Sequence, residues 1–368
     1  MGRCPRGCPE SQREPLDEAL GIAPYQQSSE ELMRLGCLLS VMMPYAQASE
    51  VLRQWSGLSV SAASLWNWVQ AVGQRAAAAL AEALSAQASG ETMTPEPIDD
   101  SLAALPLAIG ADGVMVPFRP TPKTPVGAIQ WREIKVGILA RLGTRVTRAG
   151  KTVPQRLRRR LVAVLGTIDD AIPPLQLEAT RQGVDTAPLV VWLSDGGRGF
   201  WRVYRTCFAT AIAVLDFFHA AGHLARATQA LFDTLNSAES QAWFRRWQHL
   251  LRHGQAHRVR QTLTQLIHLP GWSDSAFTTL LQVQAYFQRH HQHTRYQQFE
   301  RLGLPLGSGM VESACKWLIQ QRFKGVGMRW SEDGFNHLLL LRLAWANDRF
   351  DHLFPSVPRA PSGPSPNR

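Results

Sequence analysis

Two aspartates stand at places in the sequence where carboxylates commonly carry out chemistry. Asp112 lies inside an apolar run with the composition of a β-strand, and Asp195 ends another such run, APLVVWLSD, directly before Gly196 and Gly197. A carboxylate buried in an apolar strand costs free energy unless it is paired or binds a cation. We therefore predict that Asp112 and Asp195 are metal ligands. The alternative is that Asp195 only caps the helix that follows its strand.

A third carboxylate lies in the segment GLPLGSGMVESACKWLIQQRFKGVGMRWS, residues 303–331. Ser308 is predicted to cap a helix that starts near Met310, which places Glu312 in the first helical turn. Apolar residues at helical spacing are expected to form the buried face of this helix: Val311, Cys315 and Leu318. The alternative for Glu312 is an ordinary surface ion pair with Lys316, one helical turn further along the chain.

Three carboxylates of this kind suit displacement at a phosphate. In such reactions two Mg²⁺ ions about 3.5–4 Å apart activate the attacking oxygen and stabilise the leaving oxygen, and hard oxygen ligands hold these ions. We predict that Asp112, Asp195 and Glu312 bind the two Mg²⁺ ions and that Mn²⁺ can substitute for Mg²⁺. Glu300 and Glu332 are the rival candidates for the third acid, but neither stands in a comparable setting.

Basic and aromatic residues alternate in the chain after Glu312. The aromatic residues are Trp317, Phe323 and Trp330, and the basic residues are Lys316, Arg322, Lys324 and Arg329. Cations interleaved with aromatic rings are typical of surfaces that bind a nucleic acid backbone and an unstacked base. We therefore predict that these basic residues contact DNA.

The overall charge favours the same class of partner. Lys and Arg total 39 against 29 Asp and Glu, the net charge is +10, and 34 of the cations are arginines. The planar arginine fork binds phosphates, so this excess favours a nucleic acid partner, with ordinary solubilising charge as the alternative. The run KTVPQRLRRR, residues 151–160, is expected to be a loop that is either solvated or in contact with phosphates.

Cysteine usage and hydropathy exclude several classes of protein. The five cysteines are an odd number scattered along the chain, which argues against a secreted disulfide framework. No apolar run approaches the roughly 18 residues that a bilayer crossing needs. The start, MGRCPRGCPE, lacks the apolar segment of a signal peptide. We expect a cytoplasmic protein without a membrane partner.

The amino-terminal part of the chain predicts helices. Gly57 breaks the helical pattern, and Ser61 is predicted to cap a third helix, Ala62–Val72. Short helices joined by a glycine turn indicate a helix-turn-helix, and the outward residues Asn67 and Gln70 would then read base edges. A plain helical hairpin is the alternative.

Changes in composition divide the chain into segments. Residues 1–28 are expected to be irregular, and residues 29–100 to form the helical DNA-binding region with an acidic Pro/Gly linker at its end. Residues 355–368 are expected to be a disordered tail.

The chain after residue 101 has the texture of an α/β fold. Apolar runs rich in Val, Ile and Leu predict three strands in LAALPLAIGADGVMVPF, WREIKVGILARL and RRLVAVLGTI, and two more in APLVVWLSD and AIAVLD. Helices are expected near residues 171–183 and 199–208, from His219 to about His293, and in one long helix after the GSG at residues 307–309. This order implies a mixed five-stranded sheet with helices on both faces.

Several of these segments resemble a known family. ADGVMVPF with WREIKVG, LSDGGRGFW, LDFFHAAGHL and LPLGSGMVESACKWLIQQRFKGVGMRW resemble, in that order, the blocks of DDE transposases of bacterial insertion sequences, in particular the Kra-type group. The resemblance spans about Pro15 to Phe354. It implies a ribonuclease H-like catalytic domain at 101–354 with a helical insertion at about 220–300. The residues that match the three metal-binding acids are Asp112, Asp195 and Glu312.

The resemblance also implies an activity and its partners. A member of this family is expected to cleave DNA at the ends of a mobile element and to join the free 3′-hydroxyl to target DNA, with Mg²⁺ as cofactor. Its partners would be the element ends and the target DNA. A homodimer or larger assembly on DNA, associated with the nucleoid, is expected.

A supporting pair of residues follows from the same resemblance. Related transposases carry a C/D-x-x-H motif between the second acid and the glutamate, and Asp216-Phe217-Phe218-His219 fits this motif. The resemblance implies that Asp216 and His219 support the active site. The alternative is that Asp216 only caps a helix and that His219 is an ordinary buried histidine.

The amino terminus departs from the family pattern. Cys4-x-x-x-Cys8 resembles the remnant of a zinc-ribbon region, but a zinc site needs about four ligands and no second pair stands nearby. Two other functions therefore stay open. One is a ribonuclease H-like nuclease, such as a junction resolvase, that does not join strands. The other is a truncated transposase copy that binds DNA without catalysis and uses its acids only as caps.

Overall fold

The computed structural model describes three stretches of the chain, residues 28–120, 128–150 and 152–354. Residues 1–27, which include Cys4 and Cys8, and residues 355–368 lie outside the described part. The predicted zinc-ribbon remnant and the predicted disordered tail lie in these residues. None of the helices in the described stretches combines the length with the hydropathy that a bilayer-crossing segment requires.

The chain divides into two compact units. Among the described residues, those up to Ala77 pack with those from Asp333 onward, and Ala78–Glu332 forms the second unit. The sequence predicts a boundary near residue 100 and one domain that continues to residue 354. The observed division instead falls within a long helix and groups the last helix with the first ones.

Helices make up most of the described chain. In chain order they are α1 (Glu30–Met42), α2 (Tyr45–Ser56), α3 (Ala62–Ala88), α4 (Asp100–Ala103), α5 (Ile168–Arg181), α6 (Arg198–Cys207), α7 (Phe217–Phe232), α8 (Ala238–Arg252), α9 (Ala256–Ile267), α10 (Asp274–Arg289), α11 (Tyr296–Arg301), α12 (Gly309–Ala314), α13 (Gln321–Phe323) and α14 (Glu332–Ala346). A π-helical segment, Cys315–Gln320, joins α12 to α13. Short 3₁₀ turns are His291–His293 and Phe350–Leu353.

The first unit is a small helical assembly. Gly57 ends α2 in the left-handed conformation with φ +72°, and the Ser61 hydroxyl accepts a hydrogen bond from the Ser64 amide at 3.0 Å, so the predicted cap is confirmed. The predicted end of the third helix at Val72 is wrong, because α3 continues to Ala88 through an alanine-rich stretch with high helix propensity. The core of this unit contains Ala48, Leu52 and Leu65.

A mixed sheet organises the second unit. The strands are β1 (Leu107–Phe118), β2 (Gln130–Val146), β3 (Thr152–Leu165), β4 (Val190–Ser194) and β5 (Ile212–Leu215). Their order in the sheet is β3-β2-β1-β4-β5. The first three strands pair antiparallel, whereas β4 is parallel to β1 and β5 is parallel to β4. The predicted mixed sheet of five strands is thereby confirmed.

Helices pack on both faces of the sheet where glycines admit them. A Cβ on Gly137 of β2 would meet the Leu175 side chain of α5 at 2.8 Å. Gly110 of β1 faces the opposite side of the sheet, and a Cβ there would meet Met310 of α12 at 2.9 Å. Close backbone approach at these two glycines therefore fixes α5 on one face and α12 on the other.

Two expectations about local structure are wrong. The described residues of the run 151–160 do not form a loop, because β3 begins at Thr152 and pairs with β2 to its end. The helix expected after residues 307–309 is not continuous, because α12, the π-helical segment and α13 are followed by a break before α14. The helical character predicted from His219 to about His293 is confirmed by α7 to α10.

Candidate active site

The sheet sets Asp112 and Asp195 side by side. Parallel pairing of β1 with β4 runs from Leu107↔Val190 to Gly110↔Leu193. Continued by two residues, this register places Asp112 opposite Asp195, which directly follows β4. Residues that face each other on parallel neighbours point to the same side of a sheet. The Ser194 hydroxyl contacts the Ala111 carbonyl at 3.5 Å, which continues this register.

Asp112 is half-buried and lies among other acids. Its Oδ1 accepts a hydrogen bond from the Gly113 amide at 2.7 Å. Burial raises the pKa of the Asp112 carboxyl, and the negative charges of Asp195 and Glu312 raise it further, whereas the Gly113 hydrogen bond and His219 act in the opposite direction. Folding therefore brings the three predicted acids within electrostatic reach of one another.

The two glycines after Asp195 have separate structural roles. The Gly197 amide donates to Asp195 Oδ1 at 2.8 Å, and a Cβ on Gly197 would lie only 2.8 Å from the same oxygen. A Cβ on Gly196 would lie 2.1 Å from a ring carbon of Tyr286 in α10. The first glycine thus admits the Tyr286 ring, and the second lets the carboxylate of Asp195 fold back onto its own loop.

Glu312 reaches the acids from a helix above the sheet. It lies in the first turn of α12 and is half-buried. The predicted buried face, Val311, Cys315 and Leu318, is confirmed. Burial, followed by the charges of Asp112 and Glu312, raises the pKa of the Cys315 thiol to about 12.

Asp216 ties the start of α12 to the end of β5. Its Oδ1 accepts from the His219 amide at 2.7 Å, so it caps α7, and its Oδ2 accepts from the amide and the hydroxyl of Ser308, the latter at 2.6 Å. The predicted capping of α12 by the Ser308 hydroxyl is therefore wrong, because this hydroxyl donates to Asp216 instead. Asp216 is 1% exposed and holds the turn from which Glu312 projects.

The His219 imidazole has a raised pKa. Its Nδ1 lies 3.3 Å from Asp216 Oδ1, and its side chain is 46% exposed. The contact with Asp216 raises the pKa of the His219 imidazole to about 8, and the charges of Asp195 and Asp112 contribute to the shift. Asp216 does cap a helix, as the alternative interpretation expects, but His219 is not a buried histidine.

The described residues contain one group whose atoms could jointly hold a metal ion: Asp216, His219 and Glu312, with ligand atoms within 4.8 Å of one another. Two of its members are poorly suited as ligands. Both oxygens of Asp216 already accept hydrogen bonds, and His219 is largely protonated at neutral pH. A metal ligand must offer a free lone pair. Glu312 is the member that remains available, and its negative charge acts on Asp112.

The donor set fits a hard divalent cation. The carboxylates of Asp112, Asp195 and Glu312 offer oxygen ligands, which Mg²⁺ and Mn²⁺ prefer. Burial is the main reason for the raised pKa of Asp112, and the charges of Asp195 and Glu312 contribute to it, so the three carboxylates act on one another. The rival acids are engaged elsewhere: Glu300 pairs with Arg252 and Glu332 with Arg132, both at 2.7 Å.

Tyr286 of α10 lies beside the acids and has no signal in the sequence. It is 6% exposed, and its hydroxyl has no hydrogen-bond partner among the described residues. Burial, then the charges of Asp195 and Asp216, raise the pKa of the Tyr286 hydroxyl. The ring stacks on His223 at 3.6 Å, and burial with the adjacent Arg226 lowers the pKa of that imidazole to about 4.

We expect Gly196→Ala to lower the free energy of unfolding by about 2–3 kcal/mol, because the new methyl group would overlap the Tyr286 ring. Gly222→Ala is the matched control. Nothing lies within 4 Å of a Cβ at Gly222, which stands inside α7, so this variant is expected to gain about 0.5–1 kcal/mol. Urea unfolding measures both. Equal stability of the two variants would show that α10 does not press on the Asp195 loop.

The basic residues after Glu312 occupy different environments. Lys316, Lys324 and Arg329 are exposed, as the DNA-contact prediction requires. Arg322 is 2% exposed, and its guanidinium lies 5.4 Å from the Trp330 ring. The prediction that Arg322 contacts DNA is therefore corrected, because a buried side chain cannot reach a phosphate at the surface.

The π-helical segment explains why Arg322 turns inward. The Gln321 amide bonds the Lys316 carbonyl, five residues earlier, so the helix is wider here than an α-helix. The alternative pairing of Glu312 with Lys316 one helical turn further along assumes α-helical geometry, whereas the helix is π-helical from Cys315 to Gln320. π-Helical turns are rare and often lie at functional sites.

The predicted base-reading residues also differ from each other. Asn67 is exposed on α3. Gln70 is half-buried, and its Oε1 lies 2.7 Å from His337 Nδ1 within the first unit. Base contacts by Asn67 and Gln70 stay predictions.

No protein family model and no curated protein matches the chain. Among solved structures, the "Drosophila P element transposase strand transfer complex" is similar over 93% of this chain and 84% of that chain, with 11% sequence identity and a TM-score of 0.31. A likeness of this size assigns no function to the chain.

Proposed function

We propose that this protein is a DNA transposase of the DDE type. It would cleave DNA strands and join the free 3′-hydroxyl to target DNA with Mg²⁺ as cofactor. The observation that carries the proposal is the gathering of Asp112, Asp195 and Glu312 at the edge where β1 and β4 run in register. The motifs around these acids support membership of the Kra-type group.

The three carboxylates would hold the divalent ions. In the metal-free protein their charges repel one another, which favours binding of a cation. When bound, two ions of this kind activate an attacking oxygen and stabilise a leaving oxygen at a phosphate. Asp112 and Asp195 contribute from the sheet, and Glu312 contributes from α12.

Asp216 and His219 would support the site without holding the ions. Asp216 fixes Ser308, and through it the helical turn that carries Glu312. His219 is half-exposed and cationic at neutral pH, and lies near Asp112 and Asp195. We assign it the role of a donor to a phosphate oxygen of the bound DNA.

The exposed cations around the site would bind the DNA backbone. Lys316, Lys324 and Arg329 project from the chain that follows Glu312. Lys324 Nζ lies 5.3 Å from the ring of Trp131, which is 53% exposed. An exposed ring beside a cation suits an unpaired base next to a phosphate. In the first unit, Asn67 would contact DNA from α3.

A strand-transfer assay tests the proposal. Linear duplexes cut from the DNA on either side of the gene are incubated with the protein, a supercoiled plasmid target and Mg²⁺, and joined products are detected by sequencing across new junctions. We expect junctions that depend on Mg²⁺ or Mn²⁺ and on a free 3′-hydroxyl. Cleavage without joining would identify a nuclease such as a resolvase. DNA binding without cleavage in either metal would identify a non-catalytic DNA-binding protein.

A further inference from the structure

A ribbon of two strands extends beyond the main sheet. β2 pairs with β1 only as far as Arg141, but it pairs with β3 through Val146↔Thr152. Leu142–Val146 of β2 and Thr152–Arg156 of β3 therefore form a two-stranded projection. The sequence predicts a loop for the run that begins at residue 151, so the ribbon is a feature that only the structure provides.

Exposed arginines lie along this ribbon and at its base. They are Arg145, Arg148, Arg156 and Arg159. Within the described residues no ion pair joins any of them to an acid. The neighbouring Arg158 and Arg160 differ, because their guanidinium groups pair with Glu96 at 3.2 Å and 3.5 Å. The hairpin thus separates arginines that have an acidic partner from arginines that present their charge to solvent.

A bulge in β3 changes which arginines are exposed. The pairing of β2 with β3 shifts between Leu139 and Arg141, and Arg158 on β3 has φ +43°. Residues other than glycine rarely adopt this left-handed region. The exposed positions of β3 alternate up to Arg156, and the next exposed one is Arg159 rather than Arg158.

The bulge therefore gathers like charges. Bulges re-aim side chains and are features that proteins retain. Partial burial lowers the pKa of Arg159, and the charge of Arg156 lowers it further, so the two guanidinium groups repel each other. The strained backbone at Arg158 thus holds Arg156 and Arg159 close together, although their charges repel. Binding of a polyanion would relieve this repulsion.

We propose that this ribbon, Arg145, Arg148, Arg156 and Arg159, is a binding site for the phosphate backbone of double-stranded DNA. A two-stranded ribbon matches the width of the major groove of B-DNA, and arginine forks bind phosphate in a bidentate way. The choice of DNA as the polyanion rests on the proposed function, but binding at this ribbon needs neither metal nor cleavage. Arginines can also protect an edge strand from pairing with other chains. The experiment below distinguishes this role from DNA binding.

The experiment measures duplex binding as a function of salt. The full chain with Arg148→Gln, Arg156→Gln and Arg159→Gln is titrated against a fluorescent duplex in EDTA, by anisotropy, over a series of salt concentrations. We expect the slope of log affinity against log salt to fall in magnitude by about 2–3, since each lost phosphate contact removes about 0.9. The affinity for unrelated duplex sequences is expected to fall by the same factor.

The matched control removes the same charge from elsewhere. Arg181→Gln, Arg202→Gln and Arg252→Gln each take away an arginine that already pairs with an acid. This triple variant is expected to keep the wild-type salt slope to within about 0.3, less than the roughly 0.9 of one phosphate contact. Arg148→Gln alone, at the turn of the hairpin, is the second ribbon variant should the triple variant fail to fold. It is expected to lower the slope by about 1.

Two results would overturn the proposal. One is an unchanged salt slope in the ribbon variants, including the case in which they aggregate, since the arginines would then protect the strand edge. The other is an effect on single-stranded RNA or DNA without an effect on duplex DNA. Failure of the transposase proposal looks different: duplex binding would depend on the ribbon as expected, while no strand-transfer product would form in any metal.

Discussion

The Asp112→Asn variant is expected to lose Mg²⁺-dependent strand cleavage by about a thousand-fold or more, because ions held by such carboxylates contribute several kcal/mol to the transition state. The substitution keeps the size of the side chain and an acceptor for the Gly113 amide. We therefore expect wild-type affinity for duplex DNA in EDTA and an unchanged circular dichroism spectrum. Cleavage of an end-labelled duplex in Mg²⁺ and in Mn²⁺ is the measurement.

Glu332→Gln is the matched control for this loss. Glu332 carries the same charge as Asp112 but is exposed and forms an ion pair with Arg132. It is expected to cleave at the wild-type rate, whereas Asp195→Asn and Glu312→Gln are expected to be as inactive as Asp112→Asn. Cleavage at the wild-type rate by any of these three would remove that residue from the site.

The repulsion among the acids has a second measurable effect in the metal-free protein. The pKa of Asp112 is raised above its ordinary value of 3.8, first by burial and then by Asp195 and Glu312. A carboxyl of this kind stabilises the fold at pH values below 3.8, and the contribution is lost as pH rises through the raised pKa. Asp112→Asn is expected to lose this pH dependence and to be at least as stable as the wild type at neutral pH in EDTA.

The Asp216→Asn variant is expected to lose about 2–3 kcal/mol of the free energy of unfolding, because it leaves buried donors without an acceptor. Asn can still accept from the His219 amide through its oxygen. Its NH₂ group, however, would face the amide and the hydroxyl of Ser308. Because Ser308 starts the turn that carries Glu312, we also expect cleavage to fall by about 100-fold, as misplacement of a catalytic group causes.

The pH dependence of this loss follows from both partners. Burial alone would raise the pKa of Asp216, but hydrogen bonds from His219 and Ser308 outweigh it and lower the pKa, so its contribution is present above 3.8 and is lost as pH falls through the lowered value. The contribution of His219 is present below 6.5 and is lost as pH rises through about 8. The difference in stability between the wild type and the variant is therefore expected to be largest between pH 3.8 and 6.5.

Histidine NMR titration in the metal-free protein tests the same contact directly. The His219 resonance is expected to titrate near pH 8 in the wild type and to return toward 6.5 in Asp216→Asn. Ser308→Ala is the control, because it removes the hydroxyl donor and keeps the amide donor, at a cost of about 1 kcal/mol. This control is expected to leave the His219 pKa near 8. An unchanged His219 pKa in Asp216→Asn would contradict the assigned contact.

The sheet could be predicted from the sequence because its strands are short apolar runs with clear boundaries. Val, Ile and Leu in β1, β4 and β5 are buried on both faces, and such runs have few alternatives once flanked by glycine and polar residues. The length of the β2–β3 hairpin could not be predicted in this way. Its outer part is rich in arginine and carries no apolar pattern, so only the ladder of backbone hydrogen bonds identifies it as strand.

The candidate site likewise has some features that the sequence predicts and others that it does not. Acids at strand ends are visible in sequence, because their charge contrasts with the apolar runs that contain them. The partner of Ser308 is not visible, because Asp216 is close only after β5 and α12 have packed on the same side. Tyr286 lies in a helix of ordinary composition, and the burial of Arg322 depends on a π-helical turn that spacing rules for α-helices do not anticipate.

The register of β1 with β4 has a consequence for how the proposed metal site can be regulated. Neighbouring strands are held about 4.8 Å apart by backbone hydrogen bonds, so the gap between Asp112 and Asp195 is set by the main chain and hardly varies with side-chain identity. Glu312 depends instead on one short helical turn anchored by a single buried aspartate. Allosteric control of metal binding would therefore act by displacing that turn. The distance between the two aspartates would stay constant, because the backbone of the sheet fixes it.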